Sequence, residues 1–98
     1  IADYTKAIEI NPQYAKAYLN RGYVKVKLED NYGAIADYTK AIEINPQYAK
    51  AYVNRGRSYY SLNNKWDACE DFKKAVSIGN TSTEEWLNTE GGSWCRNM

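Results

Sequence analysis

Histidine is absent from the 98 residues of this chain, and cysteine, proline and methionine are scarce. Without histidine, the chain cannot form a Ser-His-Asp or Cys-His nucleophile, a histidine-ligated zinc site or a histidine proton shuttle. Two cysteines, Cys69 and Cys95, are too few for a disulfide framework or a four-cysteine metal site. We therefore expect neither an enzyme nor a cofactor, and we interpret this cysteine usage as typical of a reducing, cytoplasmic location.

Long apolar runs are absent as well. No stretch approaches the ~20 residues that cross a membrane, and no basic-then-apolar leader opens the chain, so we expect no membrane partner. The first residue is Ile1 and not Met, which we interpret as the start of a piece cut from a longer protein. Hydrophobic residues make up 44% and charged residues 26% of the chain, as in a soluble globular domain. The net charge of +1 indicates no class of partner.

The chain repeats itself with a period of 34 residues. Residues 1–18 and 35–52 carry the identical sequence IADYTKAIEINPQYAKAY. A third, diverged copy keeps the same offset at aspartate, aromatic, alanine and isoleucine positions. The matched residues are Asp3, Asp37 and Asp71; Tyr4, Tyr38 and Phe72; Ala7, Ala41 and Ala75; Ile10, Ile44 and Ile78; and Tyr18, Tyr52 and Trp86. A fixed period of this length indicates stacked supersecondary units.

Each unit contains two helical patterns and no strand pattern. One helix ends before Asn45-Pro46, because a residue that precedes proline is pushed out of the α region. The next is predicted from about Ala49 to Leu62, and after a turn at Asn63-Asn64 another runs from about Trp66 to Ile78. The sequence therefore predicts an all-α fold, an α-solenoid of antiparallel helix pairs with two full repeats and flanking half-repeats.

The small and aromatic residues of the unit resemble the tetratricopeptide repeat family, whose pattern is W-x₂-L-G-x₂-Y, A-x₃-F and P at period 34. Tyr52, Gly56 and Tyr59 fit the first part, with Arg55 in place of leucine, and Pro46 fits the last. The resemblance implies that Gly22 and Gly56 let two helices approach closely. The implied organisation is a solenoid over 1–88, with a half repeat 1–14, repeats 15–48 and 49–82 and a partial helix 83–90, followed by a flexible tail 91–98.

In this family the first helix of each unit lines a concave groove, which implies a protein–protein interaction scaffold that binds an extended peptide. Asparagine recurs at Asn20, Asn54 and Asn88, and an amide can both donate to and accept from a peptide backbone. A helical wheel places ten candidate peptide-binding residues on the groove face: Lys16, Leu19, Asn20, Tyr23, Lys27, Lys50, Val53, Asn54, Arg57 and Tyr60.

Charge is divided between the two kinds of helix. Residues 15–28 and 49–62 together hold seven Lys or Arg and no Asp or Glu, while the rest of the chain holds six basic and twelve acidic residues. A basic groove favours an acidic peptide. Chaperone-binding members clamp a terminal carboxylate with lysines, but here Leu19, Val53 and Glu84 stand at the lysine positions, so we do not expect that clamp.

Two other functions stay open. The chain could be a structural segment of a longer array that self-associates head to tail into a homo-oligomer, since each terminal half-repeat would show an apolar face. Tyr4 and Ile8 lie at one end, and Trp86 and Leu87 at the other. RNA binding is a weaker alternative, because the nearly identical units lack the diverse reading positions that an RNA code needs.

Three further positions are interpreted as structural. Arg21 and Arg55 point toward the packing side of their helices, and we expect each to pair with an aspartate of the series Asp3, Asp37 and Asp71, since an unpaired guanidinium there would be costly. Cys69 stands at a buried apolar position, whereas Cys95 is expected to be exposed in the tail.

Overall fold

The computed structural model describes residues 2–98, apart from the side chains of Ala2, Asp3 and Glu90. Seven α-helices and one short 3-10 turn occupy this range, and no strand occurs within it. The elements are α1 (Ala2–Ile10), α2 (Ala15–Lys27), α3 (Asn31–Ile44), α4 (Ala49–Ser61), α5 (Lys65–Ser77), α6 (Thr81–Leu87), the 3-10 turn Glu90–Gly92 and α7 (Ser93–Arg96). The predicted all-α fold is confirmed.

The helices stack in chain order, as in a solenoid. From α1 to α6, each helix packs against the next, and α7 packs back on α5 and α6. The result is an elongated body of 42 × 26 × 17 Å. None of the helices within residues 2–98 is long and apolar enough to cross a membrane.

Small residues set the spacing between paired helices. A Cβ added at Gly22 would lie 2.7 Å from the ring of Tyr38, and one at Gly56 would lie 2.8 Å from the ring of Phe72. Any larger residue at either position would force α2 from α3, or α4 from α5. The predicted close approach at both glycines is confirmed. Ala34 and Ala68 support it from the opposite helix, where both are fully buried.

Polar side chains begin the later helices. Asp30, Asn64 and Asn80 each accept a hydrogen bond from the backbone N–H three residues ahead, which satisfies a donor that the helix leaves unpaired. Asn45 ends α3 in an extended conformation (φ −133°, ψ 92°), as expected before Pro46. The predicted bounds of α4 and α5 agree with the structure within about one residue at each end.

The predicted arginine–aspartate pairs are present at both described positions. Arg21 donates to Asp37 from Nε (2.8 Å) and from Nη2 (2.7 Å), and Arg55 donates in the same way to Asp71 at 2.8 Å each. Arg55 also donates to the Thr39 hydroxyl of α3 at 3.2 Å. Arg21 likewise donates to the Thr5 hydroxyl of α1 at 3.5 Å, so each arginine ties its own unit to the preceding one.

Burial and pairing act in opposite directions on these groups. The hydrogen bonds to Asp37 and Asp71 raise the pKa values of Arg21 and Arg55. Burial raises the pKa of Asp71, although Arg55 opposes that shift. The side chain of Asp3, the third aspartate of the series, lies outside the described residues.

The prediction of a flexible tail over 91–98 is wrong. Instead of a helix over 83–90, α6 ends at Leu87, and the chain turns back through Gly92. A Cβ at Gly92 would collide with the Trp86 carbonyl oxygen, so only glycine permits this approach. Helix α7 then packs onto α5 and α6, where the Arg96 guanidinium donates to the Leu87 carbonyl at 3.0 Å.

Cys95 is fully buried, not exposed as predicted, and it forms a disulfide with Cys69. The two Cα atoms are 5.2 Å apart. The tail is ordered because the apolar residues Trp94 and Cys95 pack against α5 and α6. Buried Cys69 agrees with the prediction, but its pairing removes the argument from free thiols for a reducing compartment. A cytoplasmic location stays a prediction.

Candidate functional site

The array curves toward the side of α2 and α4. Helix α2 contacts α4, the next first helix along the array, whereas α3 and α5 make no comparable contact with each other. The first helices of the units are therefore closer together than the second helices. We call this side of α2, α4 and α6 the inner face.

Most of the predicted groove residues are accessible. Four cations and two tyrosines are exposed, and Asn20, Asn54 and Val53 are partly buried. On α2, the Lys27 ammonium lies 4.8 Å from the centre of the Tyr23 ring, so these two predicted residues contact each other. The six exposed residues are Lys16, Tyr23, Lys27, Lys50, Arg57 and Tyr60.

Leu19 is a correction to the predicted groove face. It is only 3% exposed and packs with Ala34, Tyr38 and Ala51 in the core shared by α2, α3 and α4. A helical wheel places Leu19 beside the groove residues, but the approach of α4 covers that edge of α2. Leu19 cannot contact a peptide at the surface, and its prediction as a binding residue is wrong.

A cavity of about 630 Å³ lies between α4 and α6. Three of the predicted residues, Val53, Arg57 and Tyr60, line it together with Ser61, Phe72, Ser82, Thr83, Trp86, Gly91 and Trp94. The Tyr60 and Trp94 ring centres are 5.2 Å apart, and Phe72 meets Trp86 edge to face, also at 5.2 Å. The volume falls within the ~300–1,000 Å³ that is typical of ligand pockets.

The charge of the inner face changes along the array. Helices α2 and α4 contain no acidic residue, whereas α6 carries Glu84 and Glu85, both exposed. Burial raises the pKa of Tyr38 to about 12, and the charges of Tyr23 and Arg57 act on the same hydroxyl. Tyr38 packs with Leu19 of α2 and Ala51 of α4 in the core.

Comparison with family models decides the identity of the fold. A model described as "TPR repeat" matches residues 1–29 and 23–63, and one described as "Tetratricopeptide repeat" matches residues 49–79. The chain belongs to the tetratricopeptide repeat (TPR) family. Comparison with curated proteins finds no match.

Solved structures superpose on most of the chain. Two crystal structures of MamA share 31% and 32% identity with it, cover 83% and 86% of its length and give TM-scores of 0.76 and 0.72. The chain spans 47% and 43% of those MamA chains. YrrB, described as a TPR protein with an unusual peptide-binding site, shares 27% identity over 94% of this chain and 51% of its own, with a TM-score of 0.78.

The fold alone is shared with a more distant neighbour. The first TPR of Spaghetti (RPAP3), solved bound to the HSP90 peptide SRMEEVD, is 23% identical, with a TM-score of 0.78 over 96% of this chain and 70% of its own.

The cavity between α4 and α6 is lined in part by residues that the sequence interpretation missed. Trp94 and Phe72 line the cavity, as do the α6 hydroxyls of Ser82 and Thr83. Trp94 was assigned to a flexible tail because Gly91-Gly92 precedes it. The adjacent apolar pair Trp94-Cys95 in an otherwise polar segment was the available signal that the tail packs.

The C-terminal residues expected at a self-association surface are largely covered in this TPR chain. Trp86 and Leu87 are partly buried against the cluster that contains Phe72 and Cys95, and the Trp94 ring of α7 lies 5.9 Å from that of Trp86. At the other end, Tyr4 and Ile8 of α1 are partly buried. Asn88 caps the C-terminus of α6 and is exposed. It does not continue the asparagine row within a helix.

Proposed function

We propose that this TPR chain is a protein-interaction scaffold whose inner groove binds an extended acidic peptide. The observation that carries the proposal is that exposed cations stand beside partly exposed amides on α2 and α4, the first helices of two successive units, which hold no carboxylate. Lys16 and Lys27 flank Asn20 on α2, and Lys50 and Arg57 flank Asn54 on α4. TPR proteins are generally scaffolds and not enzymes, which agrees with this reading of the surface.

The two kinds of side chain have different roles in the proposed complex. The amides of Asn20 and Asn54 can accept from a peptide N–H and donate to a peptide carbonyl, which fixes an extended backbone regardless of its sequence. The cations attract acidic side chains and accelerate encounter. The peptide-binding site named for YrrB supports a peptide as the ligand class.

Recognition of a terminal carboxylate by groove lysines is not part of the proposal. Leu19 is buried, Val53 is partly buried and Glu84 is an exposed acid. None of these three can supply the lysine ammonium of the chaperone-type clamp. The proposed contacts are therefore with acidic side chains along the peptide.

The asparagines test the proposal directly. The probe is a labelled Glu/Ser peptide, with a Lys/Ser peptide of equal length as its comparison, and binding is followed by fluorescence anisotropy. We expect the Glu/Ser peptide to bind and the double variant Asn20→Ala/Asn54→Ala to abolish that binding. Each buried backbone group left unpaired costs about 1–3 kcal/mol. Circular dichroism should show unchanged helicity, and unmoved affinity in the double variant contradicts the groove assignment.

The role of the cations is tested by reversing their charge, with a charge reversal on another helix as the control. Lys50→Glu/Arg57→Glu should slow association with the Glu/Ser peptide, whereas Lys74→Glu, an exposed reversal on α5, should leave it unchanged. The wild-type preference for the acidic peptide should fade as added salt shortens the screening length below ~8–10 Å. A preference that survives at molar salt would assign selectivity to packing and not to charge.

A further inference from the structure

We infer that the end of the groove between α4 and α6 is an aromatic–anion pocket, which takes an aromatic side chain of the ligand together with a neighbouring carboxylate. The inference deepens the proposed function and rests on it, because it names the side-chain class read at one end of the same groove. The pocket is defined here as the 630 Å³ cavity lined by Tyr60, Phe72, Trp86, Trp94 and Arg57.

Four rings from four helices form the apolar lining. Trp94 of α7 contacts Tyr60 of α4 at 5.2 Å and Trp86 of α6 at 5.9 Å between ring centres. Phe72 of α5 lies 5.2 Å from Trp86 and 6.5 Å from Trp94. Most of these contacts are edge to face, the geometry that aromatic pairs prefer. A fifth ring that enters the cavity would extend this network.

The charge in the pocket decides between an anionic and a cationic ligand. Aromatic linings often hold cations through the ring faces. Here the only charged residue among those that line the described cavity is Arg57. Its guanidinium is exposed and forms no ion pair with a carboxylate of the described residues. A cationic side chain would be repelled, whereas a carboxylate would find a planar donor and the hydroxyls of Ser82 and Thr83 nearby.

The pocket lies where the third unit differs from the two before it. Helix α6 has 7 residues where α2 and α4 have 13 each, so it ends well before α4 does. The shortened helix leaves space beside Tyr60, and Trp94 of α7 forms one wall of it. The crevice between α2 and α4 lacks this arrangement. Leu19, which stands at the position of Val53 in the preceding unit, is buried in the core there.

The wall is fixed before a ligand arrives. Cys95 follows Trp94 directly and is bonded to Cys69 of α5. The Arg96 guanidinium donates to the Leu87 carbonyl, and the Gly92 backbone lies against α6. A side chain that enters the pocket therefore does not have to order α7, which lowers the entropic cost of binding.

The test uses the disulfide-bonded chain and three small probes: N-acetylphenylalanine, its carboxamide and N-acetylglycine. The first probe carries both ring and carboxylate, and each of the others lacks one. Binding is read from the NMR signals of the indole N–H groups. Trp86 and Trp94 report on the pocket, and Trp66, 61% exposed on α5 and outside it, is the internal control.

We expect N-acetylphenylalanine to shift Trp86 and Trp94 saturably and to leave Trp66 unmoved. Both other probes should bind about tenfold more weakly or worse, as the loss of one charge-assisted contact or of one buried ring implies. Arg57→Gln should remove the preference for the free carboxylate while the ring still binds. Trp94→Ala should abolish binding, and Trp94→Phe should restore part of it. Equal binding of all three probes, or equal shifts at Trp66, would overturn the inference.

Failure of the pocket and failure of the groove give different results. A single amino acid does not span the groove, so its binding does not depend on Asn20 or Asn54. If the Glu/Ser peptide binds but the probes do not, the groove stands and the pocket is wrong. If only the probes bind, the pocket stands as a side-chain site and the extended peptide is wrong. If both the peptide and the probes bind, one phenylalanine added beside a glutamate should raise the affinity of the peptide about tenfold. Trp94→Ala should remove that gain.

Discussion

At the scale of single residues, the paired arginine and aspartate are the most informative departure from the family pattern. Arg55 stands where the pattern has leucine. Its guanidinium donates hydrogen bonds to the Asp71 carboxylate and to the Thr39 hydroxyl. Its guanidinium also lies 5.6 Å from the centre of the Tyr52 ring and 5.9 Å from that of Tyr59. A leucine would bury apolar surface alone. The arginine instead joins three helices through directional contacts, which favours one helix register over others.

The pair makes a prediction about stability. Asp37→Ala leaves both Arg21 and Lys25 without their acceptor, the latter at 3.1 Å. We expect a loss of about 2–3 kcal/mol, because a partly buried cation loses its charge-assisted hydrogen bonds. In a domain of this size, the melting temperature should fall by roughly 10 °C or more. Thermal denaturation followed by circular dichroism measures the change.

Two control variants separate pairing from the mere loss of a negative charge. Glu43→Ala removes an exposed acid from the same helix and should change stability by no more than about 0.5 kcal/mol. Asp67→Ala breaks only the local contact with Asn64 and should cost less than Asp37→Ala. Equal effects of Asp37→Ala and Asp67→Ala would contradict a stabilising role for the Arg21–Asp37 pair.

At the scale of elements, the sequence predicts α1 to α5 well and fails after them. Two copies of one 18-residue segment repeat the same pattern of small, aromatic and proline residues, so each copy supports the interpretation of the other. Beyond Ile78 that support ends: Asn80 replaces the proline, and α6 begins two residues before the repeat register places it. Residues 89–98 fall at the same offset as residues 55–64 but share little of their sequence, so their packing could not be inferred from an earlier unit.

The groove shows the same limit at finer scale. Helical periodicity predicts one shared face for Lys16, Asn20 and Tyr23, and all three side chains are at least partly exposed in the structure. It misplaces Leu19, because burial there depends on how closely α4 approaches, and that distance is a tertiary property. The pairing of Cys69 with Cys95 is likewise invisible in the sequence, since two cysteines 26 residues apart meet only through the turn at Gly92.

The disulfide yields a prediction for α7. Cys69→Ser/Cys95→Ser should lower the free energy of unfolding by about 3 kcal/mol in the chain-entropy model, because the bond closes a loop of roughly 26 residues in the unfolded state. Amide hydrogen exchange should rise mainly in α6 and α7, with α2 and α3 changed least. Reductant should reproduce the effect in the wild-type chain and add nothing in the double variant. Uniform exchange changes across all helices would mean that α7 is not a separately anchored element.

At the scale of the whole molecule, the two ends of the array differ. Within the described residues, α1 packs mainly against α2, and Tyr4 and Ile8 stay partly accessible on it. The opposite end is covered, because α7 packs over Trp86 and Leu87. Head-to-tail association of this chain would need both an open first helix and an open last one. The disulfide that holds α7 in place therefore opposes it.

This asymmetry predicts association that depends on the redox state of the chain. The disulfide-bonded chain should stay monomeric through a concentration series, whereas the Cys69→Ser/Cys95→Ser chain, whose α7 can leave α6, should associate through Trp86, Leu87 and the α1 face of a second copy. The contact is heterologous and need not close, so mass should grow with concentration instead of stopping at a dimer. Multi-angle light scattering measures this.

The α1 face supplies the decisive variants for that association. Ile8→Glu in the cysteine-free chain should restore the monomer, because a carboxylate would enter the contact without a partner. Lys6→Glu, which places the same carboxylate on the exposed side of α1, should leave association unchanged. If the cysteine-free chain stays monomeric at millimolar concentration, Trp86 and Leu87 form no interface even when α7 is released. If the disulfide-bonded chain associates as strongly, and Ile8→Glu has no effect, the contact lies on another surface, and the exposed aromatics Tyr32 and Trp66 of α3 and α5 become the residues to change.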